Sequence, residues 1–303
     1  MRRLAALVVL FGAGLLPWLW GSATLWAINL FIWGLMALSL NLLYGYTGLL
    51  SLGQGVYFAL GAYGAAWAVI YANANFWGAV GAGLLCALLG AFVVGWASVR
   101  ASGFGFVVVT LVTALICYLV ALSADSITGG EDGMSFRAPA LALPGMSLSV
   151  QSLKARYYLA WGAALVGLGI MYLVSTSPLG LALRAVRDDE IAAASLGYDV
   201  FKIRLFAFVL AGVLAGLAGA VWAISKEFVR AGLFQPFGAF VSAQPDPDPL
   251  IAVLLGGAGT LLGPLVGMGV LLGLREFFIN LWPQGYALAM GIAIVVLVRF
   301  RRR

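Results

Sequence analysis

Histidine does not occur in this chain of 303 residues, cysteine occurs twice, and charged side chains make up 9% of it. Each scarcity removes a class of function. Without histidine the commonest metal ligand is missing, as is the one side chain that titrates near neutrality when unperturbed, so no metal site and no cofactor are expected. Cys86 and Cys117 sit inside apolar stretches, where a thiol acts as small core filler and not as half of a disulfide framework. No G-x-x-x-x-G-K-[ST] run occurs, so the chain lacks the phosphate loop that would let it take energy from nucleotide itself. No Ser/His pair, paired acids or metal-ligand cluster lies in the apolar stretches, and an enzyme is not expected.

What remains is 63% hydrophobic, with 40 glycines and 10 tryptophans. That leaves too little polar surface to cover a soluble globule, and the composition reads as an all-α polytopic membrane protein. A hydrocarbon core of about 30 Å needs about 20 apolar residues per helix. Candidate spans fall at 4–20, 24–43, 51–72, 78–98, 104–123, 156–175, 204–224, 250–274 and 286–298. The formal charge of +6 is concentrated at the ends, Arg2 and Arg3 in front and Arg299, Arg301, Arg302 and Arg303 behind. This is a topology signal and not a nucleic-acid footprint: it places both termini in the cytoplasm and requires an even number of crossings. Nine candidates violate that parity, so about 8–10 helices are expected, with one candidate broken, re-entrant or divided in two.

The first suspect is 250–274, whose middle holds Gly256, Gly257, Gly259, Gly263 and Pro264. Glycine costs a helix about 1 kcal/mol and proline about 3. Two readings stand: a half helix broken beside the transport path, or a cluster of small residues that lets helices pack closely. The second suspect is the N-terminal stretch, which imitates a secretory signal; Pro17, Trp18 and Trp20 occupy the cleavage zone, and an uncleaved first helix is the preferred reading. In the first half, 34–65 combines an apolar helix with a glycine-punctuated break that carries Asn41, Tyr44, Tyr46, Thr47, Ser51 and Gln54. The steps GYTGLL at 45–50 and GGAGTLL at 256–262 share a G-x-x-G rhythm, as paired interrupted segments around a central site would.

A charged island, 177–204, holds eight of the 28 charges and is flanked by apolar spans, yet its apolar residues recur at helical spacing. One reading is a docking helix for a cytoplasmic partner. The other is an amphipathic helix in the lipid headgroup layer, which the consecutive acids Asp188, Asp189 and Glu190 disfavour at an anionic surface.

Four blocks in order carry a family resemblance: ALSLNLLYGYTGLLSLGQGVYFALGAY, TGGEDG at 128–133, RAVRDDEIAAASLG in the island, and LLGGAGTLLGPLVG. Together they resemble the branched-chain amino acid permeases of ABC importers, and more closely the larger of the two permease types. The resemblance implies a single transmembrane permease domain over 1–303 with the ABC importer permease fold, an external loop at 124–156 and a cytoplasmic coupling loop at 176–204. It implies a multi-pass subunit of the bacterial inner membrane, in contact with lipid and not nucleic acid. Its partners would be a sibling permease, two cytoplasmic ATPase subunits and a periplasmic solute-binding protein. In such importers the loop that meets the ATPase carries E-A-A-x-x-x-G; Ile191, Ala192, Ala193 and Gly197 match that spacing, with Ile in place of Glu. Gly197 suits a C-cap. Arg184 and Arg187 share a face, suited to acids of the partner or to Asp188 and Glu190 nearby.

The expected activity is inward movement of branched-chain or other small amino acids by alternating access. The expected pathway lining is Asn41, Tyr44, Thr47, Ser51, Gln54, Gly256, Gly257, Gly259 and Gly263, and the expected coupling residues are Arg184, Arg187, Asp188, Asp189, Glu190, Ala192, Ala193 and Gly197. The alternative is an ATP-independent carrier or channel for small polar solutes such as urea or amides. Against a gradient-driven carrier stands the lack of histidine and of an acid deep in a span, with Glu276 beside Arg275 near a span end. One stretch departs from the family pattern: the alternating prolines and aspartates of 245–249 are expected to form an extended, exposed strand.

Overall fold

The computed structural model describes residues 21–101, 103–143, 146–148, 150–236, 248–281 and 291–292. In chain order, α1 (Gly21–Asn41) runs on through a π-helical turn (Leu42–Thr47), and α2 (Gln54–Ala72), α3 (Phe76–Ser98) and α4 (Phe104–Ser123) follow. A loop region then holds α5 (Asp125–Thr128), β1 (Met134–Ser135) and the hairpin β2 (Leu141–Leu143) and β3 (Met146–Leu148). Next come α6 (Leu153–Thr176), α7 (Pro178–Asp188), α8 (Glu190–Ser195), α9 (Val200–Lys226) and β4 (Phe228–Val229). After a 3₁₀ turn (Ala231–Phe234), α10 (Pro249–Gly256) and α11 (Gly263–Leu281) complete the order. Among the described residues, seven helices are long and apolar enough to cross a membrane: α1 with its turn, α2, α3, α4, α6, α9 and α11.

The core is built on α9, which packs on α2, α3 and α1. Small residues make this approach possible: a Cβ on Gly61 of α2 would collide with Gly216 of α9, and one on Gly219 of α9 with Phe58 of α2. Large aromatics fill the remaining volume, with Trp33 stacked on Phe58 and Tyr57 edge-on to Phe208. On α3 the buried residues recur about every turn (Ala79, Gly83, Ala87, Ala91, Gly95), while Leu85, Leu89, Phe92 and Val93 face outward. On α4, Val112, Ile116, Leu119 and Val120 also face outward. Small residues inside and large apolar ones outside are the inverse of a water-soluble bundle and suit a lipid solvent.

The loops gather at opposite ends of the bundle. At one end β1 pairs antiparallel with β4, Met134 opposite Val229, and Phe136 N donates to Glu227 O at 3.1 Å. Glu227 holds a left-handed backbone (φ 55°) and its carboxylate takes Ala138 N at 3.0 Å and Arg156 at 3.6 Å. The TGGEDG loop is fastened to α2 at this end, where Tyr63 Oη donates to Thr128 O at 3.1 Å and Trp67 Nε1 to Ile127 O at 2.9 Å. The other end carries α7 and α8.

The candidate 250–274 is not one helix. It divides at Gly257–Leu262 into the eight-residue α10 and the longer α11, which runs to Leu281 and so contains Arg275 and Glu276. The two pack antiparallel with backbones almost touching, because a Cβ on Gly256 would meet the Gly263 carbonyl and one on Gly267 the Ala252 carbonyl. The break and the small-residue packing are both present, since the same glycines serve both. The strand expected at 245–249 is corrected at its end: Asp248 accepts from Leu250 N at 2.8 Å as N-cap and Pro249 begins α10. Candidate spans 4–20 and 286–298, and most of the Pro/Asp stretch, lie outside the described residues.

Candidate functional site: two interrupted segments and a helical loop

The two glycine turns picked out by their shared rhythm meet in space. In the first, the π-helical turn closes as Thr47 Oγ1 donates to Leu43 O at 2.6 Å, and Gly48, at φ 73°, ends it in the left-handed region. In the second, Gly257 (φ 104°) and Gly259 (φ 78°) turn the chain between α10 and α11, and Thr260 Oγ1 donates to Gly257 O at 2.7 Å. Asn41, fully buried at the end of α1, joins them: its Oδ1 accepts from Gly259 N at 2.8 Å and its Nδ2 donates to Thr260 O at 2.9 Å. A primary amide is suited to this, offering an acceptor and donors from one planar group. A Cβ on Gly45 would run into Gly259 N and the Asn41 carboxamide, so glycine is required where the turns cross.

Of the other polar residues in the first turn, Ser51 Oγ accepts from Gly53 N at 3.3 Å, and Tyr44 is half-buried. Gln54, at the start of α2, is 1% exposed, and neither its Oε1 nor its Nε2 has a partner among the described residues. Leaving such a group unpaired costs about 1–3 kcal/mol. Thr110 of α4 closes this corner, its Oγ1 accepting from Leu52 N at 3.3 Å.

The charged island forms α7 and α8. Ser177 caps α7, accepting from Gly180 N at 3.4 Å ahead of Pro178. Asp189 breaks the run and caps α8, its Oδ1 accepting from Ile191 N at 2.9 Å and Ala192 N at 3.0 Å. The C-terminus closes on Gly197 (φ 89°): Gly197 N donates to Ala194 O at 3.0 Å and Tyr198 N to Ala193 O at 3.2 Å, a Schellman pair. Asp199 then caps α9, and its carboxyl lies below the ordinary aspartate range because it accepts from Lys202 N and pairs with the Lys202 ammonium.

Several of the expected coupling residues make contacts within the protein, and Arg187 with Asp188 is one of the two pairings the sequence allows. Ala193 is buried against the protein; the exposed face of α8 presents Ile191, Ala192 and Leu196. Glu190 forms a two-point pair with Arg204 of α9, at 2.8 and 2.7 Å. Arg184 donates to Ser175 O at 2.8 Å and Gly180 O at 3.1 Å, tying α7 to the end of α6. Arg187 grips its neighbour Asp188 at 3.0 Å and reaches across to Gly45 O at 2.7 Å. The residues that sequence reasoning passed over are therefore Gly45, Thr110 and Arg204. For Arg204 a signal existed: an arginine where the apolar run of α9 begins, soon after an acidic run, needs a partner.

Spans with apolar outer faces, a half helix folded back against α11 and two glycine turns in contact are the features of a polytopic membrane permease of the transport class. The chain belongs to the branched-chain amino acid transport system permease component family, whose model matches residues 22–299. It is 29% identical over 290 residues to the high-affinity branched-chain amino acid transport system permease protein LivM of Salmonella typhimurium (strain LT2), and equally to LivM of Escherichia coli (strain K12). Each alignment takes in 88% of this chain and 66% of the relative, so the chain spans just under two thirds of those proteins. To the permease protein LivH of Escherichia coli (strain K12) it is 23% identical over 285 residues, 88% of each chain. No solved structure matches. Each of these relatives is a permease protein of a transport system.

Proposed function

We propose that this chain is the membrane-spanning permease subunit of an ATP-driven importer that moves branched-chain or other small amino acids inward. The observation that carries the reading is the contact of the two interrupted segments, one from each half of the chain, bracketed by Asn41 and touched by the helical loop α7–α8 through Arg187. Irregular backbone at membrane depth persists where protein buries it or where it lines a water-filled path, and a helical loop seated against that backbone suits an external source of work.

In this reading α7–α8 lies in the cytoplasm, its exposed Ile191, Ala192 and Leu196 seated on one of two ATPase subunits. The loop region around 124–152 faces a periplasmic solute-binding protein, and a sibling permease completes the path. Both termini are cytoplasmic, in a bacterial inner membrane. The half helix α10 supplies the crossing that restores even parity. Within the pathway set, Asn41, Thr47 and Ser51 spend their polar atoms on the protein's own backbone, which leaves Gln54 and the half-buried Tyr44 as the side chains to bond the passing solute.

The test is to tag the chain in its own membrane, extract it gently and identify what co-purifies, with and without 190–197 replaced by a Gly/Ser linker. ATPase subunits and a second permease should appear with the intact chain and vanish with the linker. A chain that purifies alone contradicts the reading and favours a carrier or channel.

A further inference from the structure

We infer that Arg187 is a transmission strut: its guanidinium delivers displacement of the α7–α8 unit to the point where the two glycine turns cross. The inference rests on the importer reading and adds to it the place where the loop's motion enters the membrane domain.

The geometry is specific. Arg187 uses Nε and Nη2 on Asp188 Oδ1, each at 3.0 Å, and Nη1 on Gly45 O at 2.7 Å, a carbonyl 142 residues away in sequence. One planar fork thus holds the residue that precedes the α8 cap and the backbone of the first glycine turn together. The stem packs there too, since a Cβ on Gly48 would lie 3.0 Å from Arg187 Cγ. The same carbonyl abuts the second turn: a Cβ on Gly259 would lie 3.1 Å from Gly45 O and 3.6 Å from Arg187 Nη1. From there Asn41 passes any shift to Gly259 and Thr260, between α10 and α11.

The other fastenings of the loop lead to different destinations. Arg184 ties α7 to the last turn of α6, and Glu190 with Arg204 ties α8 to the first turns of α9; both are helix ends at the same face of the bundle. Arg184 meets the π-helical turn only as a cation 6.0 Å from the Tyr46 ring centroid. The hydrogen bond to the crossing itself is made by Arg187. Its partner is a backbone carbonyl and not a side chain, so the turn cannot shed the load by changing a rotamer. Lysine lacks the fork and cannot grip Asp188 and Gly45 together.

The experiment uses the complex purified through a tag on this chain, with Cys86 and Cys117 replaced by alanine. Spin labels are placed at Ala194→Cys on α8, at Ala258→Cys in the second turn and at Glu131→Cys at the far end, all exposed positions. Distances from 131 to 194 and from 131 to 258 are read with and without a non-hydrolysable ATP analogue. In the parent both distances shift on nucleotide binding. In R187Q the shift at 194 persists and that at 258 is lost, and in proteoliposomes leucine imported per ATP hydrolysed falls about tenfold.

A shift at 258 that survives in R187Q overturns the inference, as does a parent complex in which 194 moves and 258 does not. A merely structural arginine would instead lose both shifts together, which also overturns it. Where R187Q does not assemble, R187K serves: a reduced shift at 258 with an intact one at 194 is expected, and two unchanged shifts overturn the inference. Absence of any ATPase from the parent preparation contradicts the importer reading itself, a result distinct from each of these.

Discussion

Replacing Asn41 with alanine takes the partner from two part-buried backbone groups at once, Gly259 N and Thr260 O, and leaves a gap where the buried carboxamide sat. The expected loss is about 1–3 kcal/mol of stability, read as a lower thermal midpoint in detergent. Asn41→Asp keeps the acceptor for Gly259 but sets a carboxylate against the Thr260 carbonyl, so it should recover only part of the loss. Asp199 gives a pH-dependent case at the same scale. Its folded pKa is lowered, so its contribution is complete above the ordinary aspartate value near 3.8 and disappears as pH falls through the lower folded value. Amide exchange in the first turn of α9 should therefore rise on acidification only below that range, and Asp199→Ala should raise it at neutral pH.

At the scale of elements, the half helix α10 and the short α8 are the pieces whose form departs most from their expected roles. Gly257 holds φ 104°, where a β-branched side chain costs about 1–3 kcal/mol whatever the space around it. Gly257→Val is expected to cut solute uptake at unchanged expression; undiminished uptake would remove this turn from the pathway. In α8, Glu190→Gln leaves the buried Arg204 without its carboxylate, and a loss of about 1–3 kcal/mol is expected at the α8–α9 junction, with Arg204→Gln less harmful because Glu190 is half exposed to water. The break in 250–274 was legible because Gly256, Gly257 and Gly259 before Pro264 oppose helix on local grounds. The inward turn of Ala193 was not, since six residues are too few to show which face a helix buries. The far end of α11 was misplaced because Arg275 and Glu276 read as a span boundary, while the helix carries them a further turn.

At the scale of the molecule, the spans α1 to α4, α6 and α9 match their expected positions within a few residues, as the hydrocarbon thickness dictates. What sequence could not show is which distant groups meet: Asn41 and Gly259 lie 218 residues apart, and no local pattern encodes that pairing. The proposed orientation makes its own prediction. Ser195→Cys should react with an impermeant maleimide only from the cytoplasmic side and Glu131→Cys only from the opposite side; the reverse pattern inverts the topology. The pairing of β1 with β4 sets an order of assembly as well. Met134 has nothing to pair with until α6, α7, α8 and α9 have been made and inserted, because Val229 follows them in the chain. The TGGEDG face is thus finished late in biosynthesis, and a chain arrested before Glu227 carries that loop without the strand and the carboxylate that hold it.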